Sequence, residues 1–140
     1  ARLKADVRDP ADELRRVFEL FPILEERRAQ KGRTLSGGQL QMLAIARALL
    51  GRTRVVLMDE PTEGLAPLVV QAIQEALLRI KREGVTVVLA EQNLRLALAV
   101  ADWHHIIDNG RVVFSGSSAA IAGNEEIKTV YLGVAKAGTR

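Results

Sequence analysis

Of 140 residues, 48% are hydrophobic and 26% charged, the make-up of one soluble globular domain or part of one. The net charge of +3 is spread over scattered basic residues and aromatics reach only 4%, so nothing here forms a footprint for nucleic acid. Without cysteine there are no disulfides or thiolate metal sites, and no apolar stretch reaches the roughly 18 residues of a membrane span. The chain reads as soluble and cytosolic. It starts at Ala1 with neither a signal-peptide core nor an arginine-rich targeting pattern, and an upstream portion is expected.

Pro10 opens a predicted helix in which Leu14, Val17, Phe18 and Phe21 recur at helical spacing until Pro22 interrupts it. The charged run from Glu25 to Arg33 reads as a solvated helix end and loop. Residues 40–50 are apolar except Gln41 and Arg47, which predicts a helix buried on most sides, with Arg47 paired to an acid or directed outward. Residues 55–58 form a continuous apolar run that stops at Asp59-Glu60-Pro61. This is the pattern of a strand buried on both faces, with acids at its C-terminal end.

A 3.6-residue stripe through Leu68, Ala72, Ile73, Ala76, Leu77 and Ile80 predicts a long helix, with Glu75 and Arg79 as an i,i+4 pair and Gly84 as its stop. Residues 85–90 predict a second buried strand. Asn93 caps a short helix through Ala101, and residues 105–114 make a tight hairpin about Asn109-Gly110. Residues 117–131 read as helical and peripheral, and residues 134–140 as a frayed tail. Strand, helix, strand, helix and hairpin describe an α/β layer with parallel strands, whose ligands gather beyond the strands' carboxyl ends. Asp59, Glu60 and Gln92 fall there.

The chemistry begins at "TLSGGQ", where Ser36, Gly37 and Gly38 precede the apolar helix. A helix start leaves backbone N–H groups unpaired and carries partial positive charge, and glycines let an anion come close; phosphate is the natural guest. Yet the sequence contains no G-x-x-x-x-G-K-[ST] cradle, so it holds half of a nucleotide site. An aspartate ending a buried strand beside phosphate can hold Mg²⁺ through water, and a following glutamate can polarise an attacking water. Two acids closing a strand at the surface are an equally ordinary arrangement when taken alone. His104 and His105 are adjacent, so on a strand they point to opposite faces and make a poor metal pair; both are read as structural.

"LSGGQ" at residues 35–39, followed after about twenty residues by "VVLMDEPT" at 55–62, resembles the ATP-binding subunits of ABC transporters. The resemblance implies a P-loop NTPase-like α/β cassette, of which this would be the C-terminal portion. Residues 1–33 would be the end of the helical subdomain, 34–133 the signature and catalytic-lobe portion, and 134–140 a disordered tail. It further implies that Ser36, Gly37, Gly38 and Gln39 contact the γ-phosphate of a partner subunit's ATP. In the same chain Asp59 would serve Mg²⁺, Glu60 would act as general base and Gln92 would occupy the switch position. Residues 62–66 match the loop that follows the base. Two departures, "LAEQN" around Gln92 and "EGLAP" at residues 63–67, are similar to the ATP-binding subunits of branched-chain amino acid importers, as is "YLG" at 131–133. The implied partners are a second ATP-binding subunit, homo- or heterodimeric, and transmembrane permease subunits, on the inner face of the cell membrane. Gln92 can donate a hydrogen bond to phosphate but cannot carry a proton's charge as histidine does.

Two other classes are open at this level. Chromosome-maintenance and repair ATPases share the signature, but their C-terminal lobe follows a long coiled coil and residues 1–33 show no sustained heptads. A degenerate, non-enzymatic dimerisation module is the other. The strand that carries the phosphate loop in the family belongs beside residues 55–58, so these are also expected to show an unpaired edge or an uncovered apolar face, favouring self-association. The 140-residue chain on its own is expected to bind MgATP weakly and not to hydrolyse it, because Asp59 and Glu60 cannot replace the cradle and its lysine. Isothermal titration and an ATPase assay on the purified chain check this; tight binding with turnover would contradict it.

Overall fold

The computed structural model describes residues 9–51 and 53–130, so the expected tail at 134–140 and the stretch 131–133 lie outside the described residues. The chain divides into two compact units between Glu91 and Gln92.

The first unit contains α1 (Pro10–Leu20), α2 (Pro22–Glu26), a 3-10 turn (Gly32–Thr34), α3 (Gly37–Leu49), β1 (Val55–Asp59), α4 (Pro67–Arg82) and β2 (Thr86–Ala90). The Asp9 carboxylate starts α1 by accepting the Ala11 N–H at 3.0 Å, with Pro10 in the first turn, where a missing N–H costs nothing. Pro22 ends it, as the sequence predicts. The buried line of α1 is Glu13, Val17 and Leu20, whereas Leu14 is 49% exposed, so the helix is rotated from the expected face. Glu13 is tolerated inside because its carboxylate accepts the Gly51 N–H at 3.0 Å.

On α3 the buried residues are Met42, Ile45, Ala46 and Leu49, while Leu40 and Leu50 are nearly half exposed. The expectation of burial on most sides is corrected: α1 and α2 pack on this helix, and the described residues leave its other side open. Arg47 points outward.

Strands β1 and β2 pair in parallel, with Val56 beside Val87 and Asp59 beside Ala90. Parallel neighbours require a long crossover, and α4 supplies it, lying against β2. Both strands differ from the expectation of burial on two faces. Val56 is buried, but Leu57 is 75% exposed and Val55 and Val88 about half exposed, so helices cover one face and the other carries bare apolar side chains. An uncovered apolar face on residues 55–58 was the second expectation, and the structure has it.

Ile73, Ala76, Leu77 and Ile80 of α4 are buried as the stripe predicts; Leu68, in its first turn, stands in solvent. Arg79 does not pair with Glu75. It bridges Glu19 of α1 and, at 3.5 Å, Glu83, while Glu75 accepts the Gln71 amide at 3.1 Å. Arg16 also binds Glu83, at 2.6 Å, so α1 is tied to the end of α4 by two arginines. Helix α4 stops where Gly84 takes φ +86, a conformation open to glycine. The Gly84 and Val85 N–H groups then close back on the carbonyls of Lys81 and Ile80.

The second unit contains α5 (Leu94–Val100), β3 (Trp103–Asp108), β4 (Arg111–Ser117), α6 (Ser118–Ala122) and α7 (Glu125–Val130). Asn93 caps α5, its side chain accepting the Leu96 N–H at 3.2 Å. The antiparallel hairpin turns through Asn109 and Gly110, both at positive φ, as a two-residue primed turn requires. The helical stretch after it is two short helices separated at Gly123 and Asn124.

His104 is buried, and its Nε2 lies in hydrogen-bond contact, at 2.7 Å, with Ser118 Oγ, which also lies 3.2 Å from the Ala101 carbonyl. Burial lowers the His104 pKa, with the Asp102 carboxylate opposing in part. As pH falls below the unfolded-state value of about 6.5, the unfolded chain takes up a proton that the folded chain refuses, so stability declines. We expect the transition followed through Trp103, the single tryptophan, to weaken from pH 7.5 to pH 5, and His104→Gln to flatten that dependence. An unchanged slope in the variant would remove His104 as its source.

Candidate functional site

Ser36 sits just before α3 and closes a reciprocal cap: its Oγ accepts the Gln39 N–H at 3.3 Å, and Gln39 Oε1 accepts the Ser36 N–H at 2.9 Å. This leaves the N–H groups of Gly37 and Gly38 as the first-turn donors without an intrahelical acceptor, at the positive end of a 13-residue helix. The serine hydroxyl keeps its own proton for donation outward, and Gln39 keeps its Nε2. The signal for this cap was in the sequence, as serine followed three residues later by glutamine.

The two glycines differ. A Cβ on Gly37 would meet nothing within 4 Å, whereas on Gly38 it would lie 2.9 Å from a methyl of Val69, in the first turn of α4. Gly38 lets two helices approach; Gly37 faces open space.

Asp59 ends β1 with an exposed side chain, and Glu60, half-buried, follows at φ +43, a left-handed conformation uncommon for a non-glycine residue. Such an outlier costs on the order of 1–3 kcal/mol and persists only where neighbours hold it. Three contacts do. The Glu60 N–H donates to the Ala90 carbonyl at 2.9 Å, the Glu63 N–H donates to the Glu60 carbonyl at 3.2 Å, and the buried Thr62 hydroxyl donates to Glu91 Oε2 at 2.9 Å. The last bond, and Glu91 with it, was invisible in the sequence because it joins residues far apart in the chain through strand register.

Asp59 and Glu60 thus share one turn at the carboxyl end of β1, and Ser36, Gly37, Gly38 and Gln39 share the start of α3. Gln92 is exposed, two residues after β2, and opens the second unit, immediately before the cap of α5. His104 and His105 bind serines on opposite faces of the hairpin, Ser118 and Ser115. Among the described residues no cluster of three or more His, Cys, Asp or Glu side chains could enclose a metal. The single carboxylate of Asp59 fits an ion that keeps most of its water, as Mg²⁺ does.

A family profile described as ABC transporter matches residues 4–63. The high-affinity branched-chain amino acid transport ATP-binding protein BraG of Pseudomonas aeruginosa is 48% identical over 118 residues, which cover 84% of this chain and 51% of that protein. A probable branched-chain amino acid transport ATP-binding protein, LivF of Archaeoglobus fulgidus, is 32% identical over 96% of this chain and 57% of its own length. The lipopolysaccharide export system ATP-binding protein LptB of Escherichia coli is 34% identical over 89% of this chain and half of its own. Among solved structures, MJ1267, an ATP-binding cassette of an ABC transporter, superposes with a TM-score of 0.71 at 27% identity over 87% of this chain and 50% of that one. The chain spans about half the length of the curated relatives it matches.

The glycine geometry separates packing from ligand approach. Gly37→Ala is expected to leave the chain as stable as the parent, while Gly38→Ala, which forces Val69 aside, is expected to be less stable than Gly37→Ala by about 1–3 kcal/mol in urea unfolding. Equal stabilities would contradict the close approach at Gly38.

Proposed function

Because the chain belongs to the ABC transporter ATP-binding family, we propose that it forms part of the ATP-hydrolysing subunit that powers an importer for branched-chain amino acids. The observation that carries the chemistry is the turn at the end of β1, where Asp59 is followed by Glu60 held at positive φ, in the same unit as the glycine-started helix. Glu60 accepts a proton from the attacking water and aims it; Asp59 would hold the Mg²⁺ that accompanies ATP, which would offset phosphate charge. Gln92 donates a hydrogen bond to the γ-phosphate.

Ser36, Gly37 and Gly38, with Gln39 fixing the cap, serve the ATP of a second ATP-binding subunit. A helix-start anion site without a lysine fits that arrangement, since the cradle and its lysine then come from elsewhere in the assembly. The cargo rests on the names of BraG and LivF. LptB, similar over nearly the same span, is named for lipopolysaccharide export, so these residues drive transport while permease subunits select what is moved. No helix among the described residues is long and apolar enough to cross a membrane, which suits a subunit that docks on permeases at the inner face.

In the complete cassette, Glu60→Gln is expected to keep ATP binding and to lower turnover by roughly 10²-fold or more; near-normal hydrolysis would take the base role from Glu60. Gly37→Leu, which the open space permits to fold, is expected to spare ATP binding by single subunits and to block ATP-driven dimerisation, read by light scattering. Equal loss of both would contradict a site completed in trans.

A further inference from the structure

We propose that Glu91 is a positioning residue for the Glu60 base, acting through Thr62. The assignment rests on the reading of Glu60 given above. Glu60 occupies a backbone conformation that the chain does not adopt unaided, and its carboxylate can aim at water only while that conformation is held.

The parallel register sets Asp59 beside Ala90, so residues 90 and 91 run past the loop that follows β1. Ala90 takes the Glu60 N–H at 2.9 Å, and Glu91 takes the Thr62 hydroxyl at 2.9 Å. Between these two points lies Pro61, whose ring fixes its own φ and which has no N–H to give. The loop is therefore clamped on both sides of its stiff residue, one residue after another on β2's exit. Thr62 is 6% exposed and its hydroxyl has one proton to donate; a carboxylate acceptor makes that bond charge-assisted and stronger than a neutral partner would. Loss of the Glu91 end removes one of the two points at which the loop carrying Glu60 is clamped to the exit of β2, and the loop then shifts Glu60 from the line of attack.

Two measurements test this. In the complete transporter containing this chain, Glu91→Ala and Thr62→Val are each expected to lower kcat by about 10- to 100-fold, the scale of an ångström-sized misplacement, with KM for ATP little changed. Glu91→Gln and Thr62→Ser, which keep an acceptor and a donor, are expected to recover most of the rate, and the Thr62→Val, Glu91→Ala pair to be no worse than either alone. In the chain itself, hydrogen exchange should show the Glu60 amide exchanging about tenfold faster in Thr62→Val, with Val56 and Val88 unchanged; general loosening would speed all three. Full kcat in Glu91→Ala, or unaltered Glu60 exchange in Thr62→Val, overturns the proposal. If Glu60→Gln is nearly inactive while Glu91→Ala is normal, positioning alone fails; if Glu60→Gln is itself normal, the base assignment fails and takes the proposal with it.

Discussion

The parallel pairing of β1 with β2 is the constraint from which the candidate site follows. Register sets Asp59 opposite Ala90, and the ladder then continues one residue past the strand, through the Glu60 N–H to the Ala90 carbonyl. A shift of one residue would turn every side chain of β1 to the other face and move the acids off their supports. Because parallel neighbours cannot be joined by a tight turn, the register depends on α4 beginning and ending at the right residues. Its end is fixed by Gly84 and the two backbone bonds that reverse the chain, and its flank by Arg16 and Arg79, which reach from or to α1.

The start of α3 depends on the same helix. Gly38 has no Cβ because Val69 of α4 occupies the space, so the crossover that orders the strands also seats α3. What faces open space at this helix start is Gly37, with the two unshared amides and the Ser36 hydroxyl beside it. Two adjacent glycines that look interchangeable have separate physical jobs, one packing and one leaving room.

The fold class, the helix spans from Pro10 to Arg82 and the hairpin about Asn109-Gly110 were legible because each has a local cause: proline and aspartate at a start, glycine at a stop, positive φ at a two-residue turn. The positions of Asp59 and Glu60 at the end of a strand were legible for the same reason. Faces were less so. Leu14 and Leu68 belong to regular stripes yet lie in solvent, and Glu13 lies inside, because a stripe wider than the contact leaves its margin exposed and a backbone N–H from Gly51 stabilises the acid.

By itself the sequence determined the elements, their order, and the family resemblance carried by LSGGQ and MDEP, since those rest on residues close together in the chain. Tertiary structure decided which of two glycines is crowded, that Arg79 binds Glu19 and Glu83 rather than Glu75, and that Glu60 is held at positive φ by residues thirty positions away. It also decided that a continuous apolar run at residues 55–58 shows one bare face. These are properties of what comes next to what in space, and neither periodicity nor spacing encodes which neighbour a side chain meets.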